Sequence, residues 1–364
     1  AAAAQSARAD DGDATMFVKD CWYVAALARE VGRSLFARTI AGEQIILYRS
    51  EAGQPVAMLD RCPHRLVPLS AGTLVGDSVQ CGYHGITFDC SGRCVRIPGE
   101  HQISPKFRST VFPCVERWGF VWVWLGNAEL ADESRLPQDF HWGTEPGWTP
   151  LSDHLRVEGN YQLLVDNLLD LSHEAFLHMG TIGNAAVAET PAETTIRGDL
   201  VQVARFMKDC APPKLFVRAA GFTTNIDRTQ RILYTPPCYV VIEVRAVPTG
   251  TNGEERKLAW WVLNALTPET ERTTHYFWGL PRGFAHDDTE LTEMLRAGIF
   301  RTFEEDRVMI EAQQRILDRV SLDTRTVYTK ADQAPGRARS MVSALIAQEE
   351  RARTAATDLH HSAP

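Results

Sequence analysis

Residues 60–70, DRCPHRLVPLS, and residues 80–89, QCGYHGITFD, decide how this chain is read. Cys62 and His64 form a C-x-H pair, sixteen residues intervene, and Cys81 and His84 form a C-x2-H pair. Two short loops of this kind can bring two thiolates and two imidazoles to one site. A [2Fe–2S] cluster with both thiolates on one iron and both imidazoles on the other uses that donor set. Replacing two anionic sulfurs by neutral nitrogens raises its potential well above that of all-thiolate clusters. Pro63 stiffens the first loop, while Gly82 and Gly85 let backbone N–H groups approach the cluster sulfurs in the second. Zinc is the alternative metal, but zinc fingers pair Cys with Cys and His with His, whereas each loop here supplies one of each.

Around these loops, from Phe36 to Leu125, short β-branched and aromatic runs alternate with turn residues, which predicts an antiparallel β domain. The first fifteen residues, Ala-rich and polar, read as a leader segment. Composition changes after Gly126 to a Pro-, Asp-, Glu- and Trp-containing connector, so a boundary is expected near residue 150. The whole chain has 364 residues, 44% of them hydrophobic, enough for one large core or two ordinary ones. Its 38 Lys and Arg against 46 Asp and Glu leave a net charge of −8, which argues against nucleic-acid or acidic-membrane partners. Neither a secretory signal pattern nor an apolar run of about 18 residues is present, so a cytoplasmic protein is expected. Eight cysteines are too few for a disulfide scaffold at this length, and Cys90 and Cys94 read as strand thiols.

A lone electron-transfer domain needs about a hundred residues, yet more than two hundred follow the second loop. Within them, 160–178, NYQLLVDNLLDLSHEAFLH, has apolar positions at helical spacing and predicts one helix. Asp170 and His173 share a face of it, but His178 lies five residues after His173, about 140° further round an ideal helix. Both rings can meet one metal only if the helix ends or takes a π-turn there. Two imidazoles and one carboxylate make the facial triad of non-haem Fe(II) sites. Candidate carboxylates crowd 302–314, TFEEDRVMIEAQQ: Glu304, Glu305, Asp306 and Glu311. Strand-like runs at 199–208, 230–247 and 257–280 predict a sheet facing the first helix, and 287–318 predicts one long helix or two joined at Gly298. After about Ala334 the sequence predicts a tail with an amphipathic stretch at 340–353 at most.

The loop segment resembles the Rieske domain of aromatic-ring oxygenases, with Gly82 for their usual Pro and Ile86 for Trp. Val67 and Tyr83 stand where the respiratory type has an extra pair of cysteines. The family pattern N-x2-D-x2-H-x4-H, followed about 130 residues later by a helical Asp, is matched by Asn167, Asp170, His173, His178 and Asp306. The stretches MFVKDCWYVAAL, LLVDNLLDLSH and LTPETERTTHYFWG look like the monooxygenases that include dicamba monooxygenase and vanillate O-demethylase. The resemblance implies an α+β fold: an all-β Rieske domain with its connector over 16–150, then a helix-grip-like catalytic domain over 151–335, its antiparallel sheet covered by helices, and a tail over 336–364.

It also implies roles. Cys62, His64, Cys81 and His84 would hold the cluster, and His173, His178 and Asp306 the mononuclear iron. Asp170 would bridge His173 to His84 of a neighbouring subunit in a head-to-tail homotrimer. Asn167 would hydrogen-bond near the iron or support its helix, and His275 would hold a substrate oxygen, with pocket walls from 200–245. The implied function is the terminal oxygenase of a monooxygenase system. It would take electrons from an NAD(P)H-dependent reductase carrying flavin and a ferredoxin-type cluster, and hydroxylate or O-demethylate a small aromatic of the methoxybenzoate type. The competing readings are a ring dioxygenase or methyl-group monooxygenase with the same metals, and an electron-transfer protein with an inactive mononuclear site.

Overall fold

The computed structural model describes residues 16–251, 257–320, 324 and 326–361; the leader expected over 1–15 lies outside them. Three antiparallel sheets build the N-terminal part. Trp22–Leu27, Phe120–Trp124 and Cys114–Arg117 form one, and Phe36–Ile40, Glu43–Arg49, Pro55–Leu59 and Val111–Phe112 the second. The third joins Thr73–Val75, Ser78–Gln80, Thr87–Phe88 and Cys94–Arg96, and it carries the loops quoted at the outset. A separate small core under those loops includes Ile46, Met58, Leu69, Val79 and Phe88 together with Cys62 and Cys81. The connector after Gly126 folds as short 3-10 turns, and its Phe140 is buried against Phe120 and Trp122.

The second part is a seven-stranded antiparallel sheet. Its spatial order is Ser152–Val157, Thr273–Gly279, Leu258–Thr270, Tyr239–Pro248, Ile226–Thr235, Leu200–Cys210 and Glu193–Arg197. Because successive side chains point to opposite faces, each strand serves two neighbours. On Thr273–Gly279, Tyr276 and Trp278 pack on Phe303 of a long helix, while His275 and Phe277 turn to the N-terminal part. Backbone bonds join the two parts, Ala41 N–H to the Pro268 carbonyl at 2.7 Å and Gly42 N–H to that of Glu269 at 3.0 Å. One apolar core runs from Trp22 and Trp122 through to Trp278 and Phe303.

Helices cover the other face: α1 (Tyr161–Leu169), α2 (Glu174–Leu177), α3 (Ala185–Glu189), α4 (Lys214–Ala220), α5 (Thr289–Leu317) and α6 (Gln333–His361). Asn160 caps α1 by accepting from the Gln162 N–H, and Asp288 caps α5 by accepting from that of Leu291. Leu291, Leu295, Ile299, Thr302, Phe303, Asp306 and Ile310 make the buried stripe of α5. Gly298 does not divide that helix. A Cβ there would stand 2.8 Å from Leu215 Cδ1, so the glycine admits close approach of α4.

Two expectations are corrected. The single helix over 160–178 ends at Leu169, and a 3-10 turn, Leu171–His173, separates α1 from α2. The expected tail is α6, which buries Ala334, Ala338, Met341 and Val342 in the main core and pairs Arg339 Nε with Asp166 of α1 at 3.0 Å. Its alternating small and charged residues hid a helix-forming composition (QAPGRARSMVSALIAQEERARTAA) behind weak hydrophobicity. Among the described residues no helix is long and apolar enough to cross a membrane.

Candidate active site

The two Cys/His loops have the same backbone plan. Cys62 N–H donates to the Val67 carbonyl and Leu66 N–H to that of Cys62. Cys81 N–H likewise donates to the Ile86 carbonyl and Gly85 N–H to that of Cys81, all within 2.8–3.0 Å. Each loop turns on a residue of positive φ, Leu66 at 59° and Gly85 at 69°. This pairing places both thiols inside and both imidazoles outside. Cys62 and Cys81 are buried and adjacent, and the exposed His64 and His84 rings lie 4.8 Å apart. Burial pushes the Cys62 thiol up to about 11, against backbone N–H groups of His64 and Arg65 directed at it and with Cys81 beside it. A bound metal cation would hold the Cys62 sulfur as the thiolate. Buried sulfurs, exposed rings and inward N–H groups fit a [2Fe–2S] cluster bridging inside to outside.

The second site forms where α1 stops. Asp170 leaves the helical region (φ −118°, ψ 87°) and its carboxylate accepts from the Ser172 N–H at 3.0 Å, capping the next turn. His173 closes that turn, and His178 follows α2 as its last flanking residue. The break thus replaces the turn an unbroken helix would impose. One atom each from His173, His178 and Asp306 lies within 4.8 Å of the others. Asp306 Oδ1 is 3.1 Å from His178 Nε2 and 3.4 Å from His173 Nε2. The outer ring nitrogens are held: His173 Nδ1 donates to the Asp170 carbonyl at 2.7 Å, and His178 Nδ1 to the Glu305 carboxylate at 2.8 Å. Both Nε2 atoms are therefore free to face a common centre. Asn167 Nδ2 donates to Asp306 Oδ1 at 3.1 Å. Burial disfavours charge on His178, but Asp306 and Glu305 outweigh it and hold its pKa above the ordinary value. A divalent ion would take the place of that proton, and two imidazoles with one carboxylate are a facial donor set for iron.

This geometry changes three sequence readings. The Asp170 carboxylate does not bond His173; its carbonyl does, and the carboxylate caps the turn. His275 does not face the iron cavity: its Nε2 donates to the Thr39 carbonyl at 3.1 Å and its Nδ1 lies 3.3 Å from His154 Nε2, on the opposite sheet face. Burial, helped by Arg38, lowers it to about 3. Glu305, first considered only as a ligand, instead orients His178.

The three donors open into a mostly apolar cavity. Leu168, Leu171, Ile182, Phe216, Ile242, Val244, Trp260, Val262, Ile299 and Phe303 line it. The expected 200–245 supplies Phe216 of α4 with Ile242 and Val244, and the remaining walls come from α1, the segments that follow α1 and α2, α5 and the strand Leu258–Thr270. One buried polar group interrupts them, Glu174 with Arg228 at 3.0 Å and with Gln230 at 2.8 Å. Sequence reading missed it, although Arg228 and Gln230 stand at alternate positions of a strand whose neighbours in the same row are Ile226, Ile232 and Tyr234.

The Rieske [2Fe-2S] domain family matches residues 21–113, and the vanillate O-demethylase oxygenase C-terminal domain family matches 157–348. A putative toluene-4-sulfonate monooxygenase iron-sulfur subunit from Comamonas testosteroni is 37% identical over 92% of this chain and 98% of the relative. This chain belongs to the Rieske non-haem iron oxygenases. The vanillate O-demethylase oxygenase subunit of Pseudomonas sp. strain HR199 is 36% identical to this oxygenase over 94% of the chain and 98% of the relative. Dicamba monooxygenase bound to 3,6-dichlorosalicylic acid superposes with a TM-score of 0.87 at 33% identity, over 92% of this chain and 99% of that one. The oxygenase is thus a monooxygenase-system component with a Rieske cluster and a mononuclear iron, and components of this kind work with a reductase.

Proposed function

We propose that this oxygenase O-demethylates a small methoxylated aromatic, using O2 and electrons that reach it from NAD(P)H through a reductase with flavin and a ferredoxin-type cluster. The observation that carries the reading is the convergence of His173, His178 and Asp306 at the mouth of an apolar cavity of aromatic and aliphatic side chains. Relatives named for vanillate and dicamba O-demethylation support the reaction class. Bound iron supplies O2 activation. The protein's part is to hold the two Nε2 atoms and the Asp306 carboxylate in register, to keep the Nδ1–H groups donating to the Asp170 carbonyl and Glu305, and to exclude water with Leu168, Ile182, Phe216 and Trp260. Asn167 steadies Asp306.

Cys62, His64, Cys81 and His84 hold the cluster in this account, with the imidazoles at the surface where electrons leave. His84 packs on the exposed Tyr83, Leu66 of the first ligand loop is exposed as well, and Phe176 of α2 and Met179 just after it are exposed between and beside the iron ligands in the chain. Apolar surface beside both centres supports a head-to-tail homotrimer in which His84 of one copy meets Asp170 of the next. The carboxylate oxygen of Asp170 left over from capping is then the contact to that imidazole.

Product analysis tests the reaction. Iron-replete oxygenase, a surrogate reductase and NADH are incubated with a panel of methoxybenzoates and methoxyphenols. Formaldehyde together with the matching phenol is expected. A cis-diol, or a hydroxymethyl product from a methyl-bearing analogue with no formaldehyde from any methoxy compound, would overturn O-demethylation.

A further inference from the structure

We infer that the oxygenase grips its substrate by an anionic oxygen group, a carboxylate or sulfonate, held on Arg205 and Arg228 beside Gln230. This rests on the oxygenase reading of the cavity and names the chemistry of its substrate. On the strand Leu200–Cys210, the row Val201, Val203, Arg205, Met207 is buried beneath the helices, and on the next strand the row is Ile226, Arg228, Gln230, Ile232. Register sets Arg205 directly opposite Gln230 and Met207 opposite Arg228. Three long polar side chains therefore meet inside an otherwise apolar layer, exposed by only 8%, 1% and 2% for Arg205, Arg228 and Gln230.

Their hydrogen bonding is incomplete. Glu174 spends one oxygen on Arg228 and the other on Gln230. Arg228 also donates to the Ile182 carbonyl at 3.0 Å and lies over the Phe216 ring. Arg228 Nε, Arg205 Nε and Gln230 Oε1 have no partner. Arg205 has one long contact, to the Leu171 carbonyl at 3.5 Å, and among the described residues no carboxylate forms an ion pair with it. Glu174 is thus the one carboxylate bonded in this group, and it is taken by Arg228 and Gln230, while Asp170 across the adjoining cleft acts on Arg205 only through space. A buried charge without a counterion is strongly disfavoured, and an incoming anion supplies the missing one. Burial lowers the Arg205 pKa; Glu174 and Asp170 oppose this and Arg228 adds to it.

The location suits a substrate end. Arg228 and Gln230 line the cavity that contains His173, His178 and Asp306, and Arg205 lines a second cleft that shares Leu171 and Gln230 with it. An anion seated at Gln230 would leave the rest of an aromatic ring in the apolar space next to the iron ligands. The purely architectural alternative is that Arg228 and Glu174 only brace α2.

Calorimetric titration of the holoenzyme with three probes separates these accounts: 3-methoxybenzoate, toluene-4-sulfonate and the neutral 3-methoxybenzamide. At least one anion should bind about tenfold or more tightly than the amide, as a charge-assisted bond requires; which one does so assigns the subsite to carboxylate or sulfonate. Arg205→Gln should abolish that preference while iron content and the cluster spectrum stay unchanged, and Arg205→Lys should keep part of it. Arg228→Gln would strand Glu174 and threaten the fold, so Arg205 carries the test. Equal affinity for the amide, no binding of either anion, or anion affinities untouched in Arg205→Gln would each overturn the inference. Formaldehyde from the neutral amide in those cases would leave the demethylase reading standing.

Discussion

Glu305→Ala should weaken the mononuclear iron site without touching its three donors. Glu305 accepts from His178 Nδ1 at 2.8 Å and also faces the Thr181 hydroxyl at 3.5 Å. A hydrogen bond to a charged partner contributes about 1.5–3 kcal/mol. The Glu305 side chain is 28% exposed, so the lower part of that range, about 1.5–2 kcal/mol, applies. At about 1.4 kcal/mol per decade this is a loss of about 10- to 30-fold in Fe(II) affinity, the usual size for a group that orients a ligating imidazole. Glu305→Gln keeps an acceptor and should fall between wild type and Ala. The assay is Fe(II) competition against a coloured chelator, with the cluster absorbance as an internal control for folding. Wild-type affinity in Glu305→Ala would refute the argument, and so would parallel loss of the cluster.

Three further outcomes follow from the same geometry. Asp170→Asn retains a capping oxygen for the Ser172 N–H, so both metals should stay while turnover nearly disappears; iron loss or full activity would contradict the bridging role. Cys62→Ser should remove the brown colour and the reduced-cluster EPR signal, and a persisting signal would remove Cys62 from the ligand set. His154 is depressed to about 4 by burial and by Arg38. Its unfolded value is about 6.5, so the associated stability is complete above pH 6.5 and falls as pH drops toward 4, by about 2 kcal/mol at pH 5. Urea unfolding at pH 7.5 and 5 checks this. His154→Phe, which preserves stacking on Phe277, should reduce the dependence without abolishing it, because His275 beside it is depressed to about 3 and loses stability over the same range; an unchanged slope would place the whole effect in other groups.

The spacing of Cys62, His64, Cys81 and His84 carried the first domain because ligand spacing is local. The iron donors were legible as residue types, and so was the need for the helix to end or distort between them; the break at Asp170 was not, because it depends on a capping bond that helical periodicity does not register. His275 shows a different limit. His275, Tyr276, Phe277 and Trp278 run together and are all buried, so the sequence shows no alternation from which to read which parity faces the helices, and a one-residue difference reverses every side chain. Tyr276 and Trp278 took the helical side. Arg205, Arg228 and Gln230 escaped notice because charged residues in a strand read as solvent-facing until the rows they share with Val201, Val203 and Ile232 are lined up. The α6 helix was hidden by its low hydrophobicity, since its core contacts Ala334, Ala338, Met341 and Val342, with Leu345 and Ile346 partly buried, are spread among small and charged residues.

The central claim is that electrons stored on the cluster are spent at the His173, His178 and Asp306 site on demethylating a bound aromatic. A single-turnover experiment tests it most directly: oxygenase reduced chemically, freed of reductant, then mixed with O2 and the best methoxybenzoate of the panel, with cluster reoxidation and formaldehyde measured together. The account predicts formaldehyde formed in step with cluster reoxidation, and slow reoxidation without formaldehyde when the aromatic is omitted. Cluster reoxidation at the same rate with and without the aromatic, and no formaldehyde in either, would contradict it.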